Sequence, residues 1–254
     1  MFNRSSDSSH LAVVIMAAGK GTRMNDPERA KVMFPLGGRP MIAHVIDRAR
    51  DCGARYVIVV IGYKGETVQE YLLESFPSAP LEFAEQKEQL GTAHAVMQTE
   101  SFLKDFSGNV LILSGDVPLL STATLRRLVQ IHEEADAAGT VLTVKAPDPT
   151  GYGRVLRDES GAVSGVVEHK DATEEERRVD EINAGVYVFN AKALFDALPR
   201  VGNENAQGEY YLPDVLSILL QDGLTVAAHC SEDFNEIQGI NTVEQLAQAE
   251  DALP

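Results

Sequence analysis

The sequence is poor in cysteine, in basic residues and in long apolar runs. Its 22 lysine and arginine residues face 38 aspartate and glutamate residues, and the formal charge of −16 argues against general affinity for nucleic acid or an anionic membrane. Cys52 and Cys230 lack the spacing of metal ligands, and so few thiols indicate a reducing compartment. No apolar stretch approaches the about 20 residues of a membrane span. We therefore expect a cytoplasmic protein that binds neither nucleic acid nor membrane.

Residues 1–10 also lack the apolar core of a signal peptide, and their serine- and aspartate-rich composition predicts a disordered leader. Residues 11–254 contain no internal repeat and no low-complexity linker. With 254 residues and 44% apolar content, the chain can bury a sizeable core. We expect residues 11–254 to form one domain.

Apolar runs of strand length alternate with segments of helical periodicity along the first half of the chain. The predicted strands are 11–17, 56–61, 81–84, 110–113 and 141–144. Ser121 is predicted to cap a helix that runs to about Ala138. This alternation favours parallel βαβ units in a Rossmann-like, doubly wound, mostly parallel α/β sheet. In the second half, runs at 154–156 and 163–167 predict an inserted antiparallel hairpin, and a further strand is predicted at 184–189.

The first predicted strand ends in a glycine turn, within the sequence LAVVIMAAGKGTRMNDPERAK. Open α/β sheets bind ligands at such strand ends. Because Gly19 and Gly21 have no Cβ, backbone N–H groups at this turn can approach a phosphate closely. Lys20, Arg23 and Lys31 add three cations in an otherwise acidic chain. The turn matches neither the P-loop nor the dinucleotide fingerprint, so we predict a triphosphate-binding turn of another kind.

Two oxygen-bearing side chains are candidates for binding a metal ion. Asp116 follows a predicted buried strand, where its carboxylate could hold Mg²⁺ against phosphate oxygens. The alternative for Asp116 is an ordinary turn-forming aspartate before Val117 and Pro118. Asn241 could supply a second oxygen ligand, although asparagine before a helix is also a common N-cap.

Other stretches offer groups that could bind a base or a sugar. The Gln86 amide provides both a donor and an acceptor for a base edge, and Gly91, followed by Thr92, would let the backbone approach a ligand. The candidates for sugar hydroxyl and amide groups are Glu168, Asn183 and the backbone at Gly153. Each of these residues, taken alone, is also consistent with an ordinary loop or surface position.

The stretches together resemble the sugar-1-phosphate nucleotidyltransferases, whose phosphate-binding signature is G-x-G-T-R-[ML] followed by a lysine. In order and spacing, the following are similar to the uridyltransferase half of the bacterial bifunctional N-acetylglucosamine-1-phosphate uridyltransferases/glucosamine-1-phosphate acetyltransferases: MAAGKGTRM, EQKEQLGTAHA, SGDVPL, DPTGYGRV, VEHKDAT, EINAGVY, NAQGEYYLPD and IQGIN. The similarity covers about residues 11–250.

This resemblance implies a nucleotide-diphospho-sugar transferase fold and a Mg²⁺-dependent transfer of UMP from UTP to N-acetylglucosamine-1-phosphate. The products would be UDP-N-acetylglucosamine and pyrophosphate. The implied catalytic residues are Arg23, Lys31 and Asp116. The implied metal ligands are Asp116 and Asn241. The implied nucleotide-binding residues are Ala17, Ala18, Gly19, Gly21, Thr22, Gln86, Gly91, Thr92, Ser114 and Gly115. The implied sugar-binding residues are Gly153, Glu168 and Asn183.

Three departures from the family pattern qualify the resemblance. Ser114 stands where some members have tyrosine, and Ala30 replaces the usual proline before Lys31, which should loosen the local backbone. We expect no left-handed β-helix of hexapeptide repeats in these residues, so acetyl transfer is not inferred. The sequence leaves open another sugar-1-phosphate as substrate, or a non-catalytic sugar-nucleotide sensor. It also leaves the oligomeric state open, a monomer included.

Overall fold

The computed structural model describes residues 10–24 and 26–251. The leader predicted at residues 1–10 lies outside the described residues except for His10, so its disorder stays a prediction. The assignment of residues 11–254 to one domain stays a prediction too.

The described residues contain eleven strands and eight α-helices. The strands are β1 Leu11–Met16, β2 Pro35–Leu36, β3 Arg39–Pro40, β4 Tyr56–Ile61, β5 Leu81–Glu85, β6 Asn109–Ser114, β7 Gly139–Lys145, β8 Arg154–Arg157, β9 Val163–Val167, β10 Glu181–Asn190 and β11 Val226–Ser231. The helices are α1 Met41–Asp51, α2 Gly65–Ser75, α3 Thr92–Met97, α4 Glu100–Leu103, α5 Thr122–Glu134, α6 Ala191–Ala197, α7 Asp214–Gln221 and α8 Val243–Asp251. No helix in this part of the chain has the length and apolar character needed to cross a bilayer.

Nine strands form the main sheet, in the order β11-β7-β10-β6-β1-β4-β5, with β8 attached to β10 and β9 to β8. β1 is parallel to β4 and β6, β4 is parallel to β5, and β11 is parallel to β7. β10 is antiparallel to its neighbours β6 and β7, and β8 and β9 form the antiparallel hairpin. The predicted Rossmann-like, mostly parallel sheet with an antiparallel hairpin is confirmed.

Helices cover both faces of the sheet because successive side chains of a strand point to opposite faces. On one face, Val13 and Ile15 of β1 belong to a core that includes side chains of α1, α2 and α5. On the other face, Ala12 and Val14 belong to a core shared with α3, α6 and α7. All four strand residues are fully buried, which explains why β1 is a continuous apolar run rather than an alternating one.

A smaller apolar cluster joins the C-terminal helix to the segment after the glycine turn. Met24, Leu36 and Met41 pack there with Ile240 and with Ala249 of α8. The backbone N–H of Ile240 also donates to the carbonyl oxygen of Asp116 over 2.8 Å. This packing therefore places the chain just before α8 beside both the glycine turn and the end of β6.

The helix predicted after Ser121 begins as expected but ends earlier. The Ser121 hydroxyl accepts a hydrogen bond from the Thr124 backbone N–H at 3.1 Å, which confirms the predicted cap. The predicted end at about Ala138 is wrong, since α5 ends at Glu134. Asp136 adopts φ of +46°, a left-handed conformation that stops a helix.

The carboxyl ends of β1, β4, β5 and β6 meet at one edge of the sheet because these strands are parallel. β10 runs in the opposite direction, so its first residues lie at that same edge. Asn183, predicted to lie just before a strand, is thus inside β10 and still close to the strand ends. The sheet edge collects residues from both halves of the chain.

Candidate active site

Two adjoining cavities open at the carboxyl edge of the sheet, with volumes of about 230 Å³ and about 610 Å³. Met16, Thr92 and Ser114 line both cavities, so these residues mark their junction. Residues predicted to bind nucleotide line the smaller cavity: Ala17, Ala18, Gly19, Gln86, Gly91, Thr92 and Ser114. Residues predicted to bind the sugar line the larger one: Gly153, Glu168 and Asn183.

The predicted catalytic and metal-binding residues form one cluster between the cavities. The Lys31 ammonium donates to the Asp116 carboxylate and, at 2.9 Å, to Oδ1 of Asn241. Arg23 donates from Nη2 to the same Asn241 oxygen at 3.0 Å. Lys31 and Asp116 line the smaller cavity, whereas Arg23 and Asn241 line the larger one. Two cationic side chains and two oxygen-bearing side chains, from three separate parts of the chain, therefore converge on one point.

Asn241 is not the cap of the helix that follows it. The Thr242 hydroxyl accepts the Gln245 backbone N–H at 3.2 Å, and the Gln245 side chain accepts the backbone N–H groups of Asn241 and Thr242. This reciprocal arrangement is a capping box centred on Thr242. The capping alternative for Asn241 is therefore wrong, and its side-chain oxygen faces Lys31 and Arg23 instead.

The two glycines of the turn have different structural roles. Gly21 has φ of +61°, and a Cβ added there would lie 2.5 Å from Cβ of Lys31. Gly21 is thus needed because the turn folds directly onto the Lys31 side chain. At Gly19, an added Cβ would meet no atom within 4 Å, so the backbone there faces open space. Lys20 is exposed, and the cations that reach Asn241 are Arg23 and Lys31.

Ala30 keeps the backbone geometry that proline would impose. Its φ and ψ are −62° and 139°, which are values that proline adopts readily. Ala30 is also 1% exposed and packs in the core. The folded backbone at this position therefore accepts either residue, and the looser backbone expected before Lys31 stays a prediction.

The Gln86 amide is largely occupied by the protein itself. Gln86 is buried, and its Nε2 donates to the carbonyl oxygen of Gly91 at 3.1 Å and lies 3.1 Å from Nδ1 of His94. These two contacts use both amide hydrogens, so the side-chain oxygen is the group left to meet a base. The expectation that Gln86 offers a donor as well as an acceptor is thus not met in this conformation.

Gly91 packs against the segment that contains NAQGEYYLPD, and Thr92 forms a hydrogen bond with it. A Cβ added at Gly91 would lie 2.5 Å from the Tyr210 carbonyl oxygen, and the Thr92 hydroxyl accepts the Leu212 backbone N–H at 2.9 Å. Glycine is required at position 91 because the Tyr210 backbone packs closely against it, whether or not a ligand also approaches. This packing brings Glu209 into the lining of the smaller cavity.

Strand register brings the three predicted sugar-binding residues together. Arg154 of β8 pairs with Val167 of β9 and with Ile182 of β10. Gly153 directly precedes Arg154, Glu168 directly follows Val167, and Asn183 directly follows Ile182. A Cβ added at Gly153 would lie 3.2 Å from Oε1 of Glu168 and 3.5 Å from Cβ of Asn183. Gly153 is buried, and its missing side chain leaves room between Glu168 and Asn183 at the lining of the larger cavity.

Asn183 also stabilises a bulge within β10. Its Nδ2 donates to the Tyr187 hydroxyl at 2.7 Å, and its Oδ1 accepts the Gly185 N–H at 3.0 Å. The register of β10 with β7 shifts between Asn183 and Tyr187, and Gly185 adopts φ of +71°. One amide hydrogen and one lone pair of Asn183 remain for a ligand.

Carboxylates around the larger cavity have raised pKa values. Burial raises the pKa of Glu168, and the charges of Asp214, Asp171 and Glu209 add to the effect. Burial, followed by the charge of Asp171, raises the pKa of Asp214 to about 6. This side of the site is therefore acidic, which opposes the binding of further negative charge near the sugar.

Three residues of the predicted nucleotide set line neither cavity. Gly115 is buried, where an added Cβ would lie 3.0 Å from side-chain atoms of Val32 and Ile42. Gly21 packs on Lys31, and Thr22 is exposed in a short 3₁₀ turn. Tyr187 and Glu209 are among the lining residues that were not predicted. The motifs EINAGVY and NAQGEYYLPD contain them, and these motifs were the only available signal.

A third cavity of about 550 Å³ lies at the opposite edge of the sheet, where β1 and β6 begin. Cys52 and Arg126 are among its lining residues. Burial raises the pKa of Cys52 to about 11, so the thiol stays protonated near neutral pH and is a poor nucleophile. The predicted site residues lie in the other two cavities or near them.

The sequence was compared with families of known proteins. The family model described as Nucleotidyl transferase matches residues 12–239. The chain belongs to the nucleotidyl transferase family. Among curated relatives, "Bifunctional protein GlmU" of Exiguobacterium sibiricum is 48% identical over 245 residues, which cover 96% of this chain and 53% of the relative. The protein of the same name from Bacillus subtilis is 46% identical over 237 residues, covering 93% of this chain and 51% of the relative. This nucleotidyl transferase thus spans about half the length of these relatives.

Solved structures show the same fold at low sequence identity. A UDP-glucose pyrophosphorylase complexed with UDP-glucose aligns with a TM-score of 0.77 and 17% identity, covering 95% of this chain and 97% of that one. A putative glucose-1-phosphate thymidylyltransferase from Bacillus anthracis aligns with a TM-score of 0.76 and 18% identity, covering 95% and 94%. The expected fold and family resemblance of this nucleotidyl transferase are confirmed.

Proposed function

We propose that this nucleotidyl transferase transfers UMP from UTP to N-acetylglucosamine-1-phosphate and releases pyrophosphate. The observation that carries the proposal is the position of the Arg23–Lys31–Asp116–Asn241 cluster at the junction of two cavities. Two ligands that react with each other need adjoining sites and charged groups where they meet. The similarity to bifunctional GlmU proteins over 93–96% of the chain supports this choice of reaction.

The two cavities would divide the reactants between them. The nucleotide would occupy the smaller cavity, with its base near the Gln86 oxygen and its phosphates at the backbone around Gly19, where space is open. The sugar would occupy the larger cavity between Gly153, Glu168 and Asn183. Both phosphate groups would then face the cluster.

The cluster fits a magnesium ion by its chemistry. The Asp116 carboxylate and the Asn241 amide oxygen contact the same ammonium, so one cation can reach both. Magnesium prefers oxygen ligands and is usually held by few protein groups, with phosphates and water completing its shell. We propose Asp116 and Asn241 as its ligands. Mg²⁺, when bound, would neutralise phosphate charge and hold the phosphates of the two reactants together.

The residues of the chain would act by positioning and electrostatic stabilisation. The attacking phosphate oxygen is already anionic near neutral pH, so in-line attack on the α-phosphorus of UTP requires no general base. Lys31 would stabilise the α-phosphate, and Arg23 the departing pyrophosphate, which its forked donors suit. Groups placed for a leaving pyrophosphate are of no use to a protein that only senses a sugar nucleotide.

The test is pyrophosphate release measured across a panel of nucleoside triphosphates and sugar-1-phosphates, with and without Mg²⁺. We expect the fastest release with UTP and N-acetylglucosamine-1-phosphate, and none with excess chelator. A faster reaction with glucose-1-phosphate would identify a related enzyme instead. Tight sugar-nucleotide binding without turnover of any pair would identify a sensor and refute the proposal.

A further inference from the structure

Arg154 is a buried cation, and among the described residues no acidic side chain lies within ion-pair or hydrogen-bond distance of it. It is 1% exposed and belongs to the largest fully buried side chains. Its Nε is buried without a hydrogen-bond acceptor. Burying a charge without a counter-charge is costly, so Arg154 is a poor choice for stability alone. Such residues call for a specific explanation.

The Arg154 guanidinium connects the start of its own strand, β8, to the loop that carries Glu168. Nη1 donates to the carbonyl oxygen of Tyr152, directly before Gly153. Nη2 lies 3.4 Å from Nδ1 of His169, directly after Glu168, and 3.5 Å from the carbonyl oxygen of Arg177.

The loop from Glu168 to Arg178 is held to residues 206–211 on its outer side. Asp171 accepts the Ala206 backbone N–H at 2.8 Å and the Tyr211 hydroxyl at 3.4 Å, and Lys170 donates to Gln207 at 2.8 Å. Within this loop, Arg177 donates from Nε to the His169 carbonyl oxygen at 3.2 Å, and Thr173 and Glu176 form a capping box. These bonds are internal to the loop. The Arg154 contacts with His169 and Arg177 instead connect the loop to the start of β8.

We infer that Arg154 is a positioning residue for the sugar site, because its guanidinium connects Tyr152, His169 and Arg177 and so fixes Glu168 opposite Gly153 and Asn183. Arg154 is too buried to touch the substrate. The expected effect on the KM for the sugar phosphate rests on the proposed function, whereas the contact of Arg154 with the loop does not. These three contacts need the separate N–H groups of a guanidinium, since the compact ammonium of a lysine at this position cannot reach Tyr152, His169 and Arg177 together.

The chain offers a matched control on the same strand. Arg157 lies two residues further along β8 and forms an ion pair with Glu181, at 2.6 Å from Nη2 to Oε1. Replacing Arg157 with methionine removes an arginine, with a side chain that is 34% exposed, from the same hairpin without touching the loop that carries Glu168. Any loss that comes from weakening the hairpin in general should therefore appear in both variants.

The experiment compares Arg154→Met, Arg154→Lys, His169→Leu and Arg157→Met with the unmodified chain. We expect the KM for N-acetylglucosamine-1-phosphate to rise about tenfold in both Arg154 variants and about threefold in His169→Leu, with the KM for UTP changed by less than about twofold. Arg157→Met should leave both KM values unchanged. Equal changes in the Arg154 and Arg157 variants, or recovery of the original KM by Arg154→Lys, would overturn the inference.

Hydrogen exchange separates this inference from the proposed function. Amides of residues 168–178 should exchange at least about tenfold faster in Arg154→Met than in Arg157→Met, whatever the substrate of the enzyme. Equal protection in the two variants would show that Arg154 does not hold the loop. A chain that makes no UDP-N-acetylglucosamine but shows the difference in exchange would refute the proposed function alone.

Discussion

Replacing Lys31 with methionine should strengthen binding of a divalent cation to the nucleotide-free chain and at the same time lower turnover. The Lys31 ammonium contacts both proposed metal ligands, Asp116 and Asn241. A metal ion that binds these oxygens must compete with the ammonium and meets its repulsion. Methionine keeps the length and the apolar stem of a side chain that is 14% exposed, so the packing should survive.

The magnitude follows from the contacts that the metal has to replace. A hydrogen bond to a charged group contributes about 1.5–3 kcal/mol, and partial exposure of the Lys31–Asp116 pair favours the lower value. A gain of about 1.4 kcal/mol corresponds to about tenfold tighter binding. Turnover should fall by about 10²–10³, the usual effect of removing one preorganised group from charge stabilisation.

Titration with Mn²⁺, followed by the electron paramagnetic resonance signal of the free ion, measures the metal affinity without any turnover. Lys64→Met is the matched control, because Lys64 pairs with Glu28 at 3.0 Å outside the cluster. This control should bind Mn²⁺ as the unmodified chain does. Unchanged or weaker Mn²⁺ binding by Lys31→Met would refute the competition between ammonium and metal.

Three further predictions concern the turn, the leaving group and pH. Arg23→Ala should lower kcat by about 10²–10³ with little change in the KM for UTP, and an unchanged kcat with a raised KM would show that Arg23 binds only the ground state. Gly21→Ala should reduce the free energy of unfolding by about 2 kcal/mol because of its φ of +61° and the contact with Lys31, whereas Gly19→Ala should be nearly neutral in denaturant titrations. As the pH rises from about 4 to about 7, the stability of Asp214→Asn relative to the unmodified chain should increase by about 1 kcal/mol. The pKa of Asp214 is raised to about 6, so the folded state binds a proton more tightly than the unfolded state and loses stability as the pH rises. Partial exposure of Asp214 reduces the size of this effect. Parallel pH profiles of stability for the variant and the unmodified chain would contradict this reasoning.

Local patterns were sufficient to predict most of the sheet. The buried strand β4 Tyr56–Ile61 was predicted to the residue because a continuous β-branched run has few other interpretations. The end of α5 was missed because Asp136, rather than a glycine, adopts the left-handed conformation. The direction of β10 was not predicted either, since an apolar run does not reveal which way a strand is inserted.

The sequence predicted which residues lie in the site better than it predicted which residues they contact. The motifs indicated Lys31 and Asn241 separately, but their contact joins residues 210 positions apart and depends on the packing of α8. Gly91 and Gln86 were interpreted as ligand contacts, and the structure adds partners within the protein: Tyr210 packs against Gly91, and the Gln86 amide contacts Gly91 and His94. Such contacts arise from tertiary packing, which no local pattern encodes.

A crystal structure of the chain with UDP-N-acetylglucosamine and Mg²⁺ tests the central claim most directly. We predict the uracil in the cavity beside Gln86, the N-acetylglucosamine between Gly153, Glu168 and Asn183, and the diphosphate at the junction beside Asp116. Binding of the sugar outside the larger cavity, or a metal ion that touches neither Asp116 nor Asn241, would contradict the account.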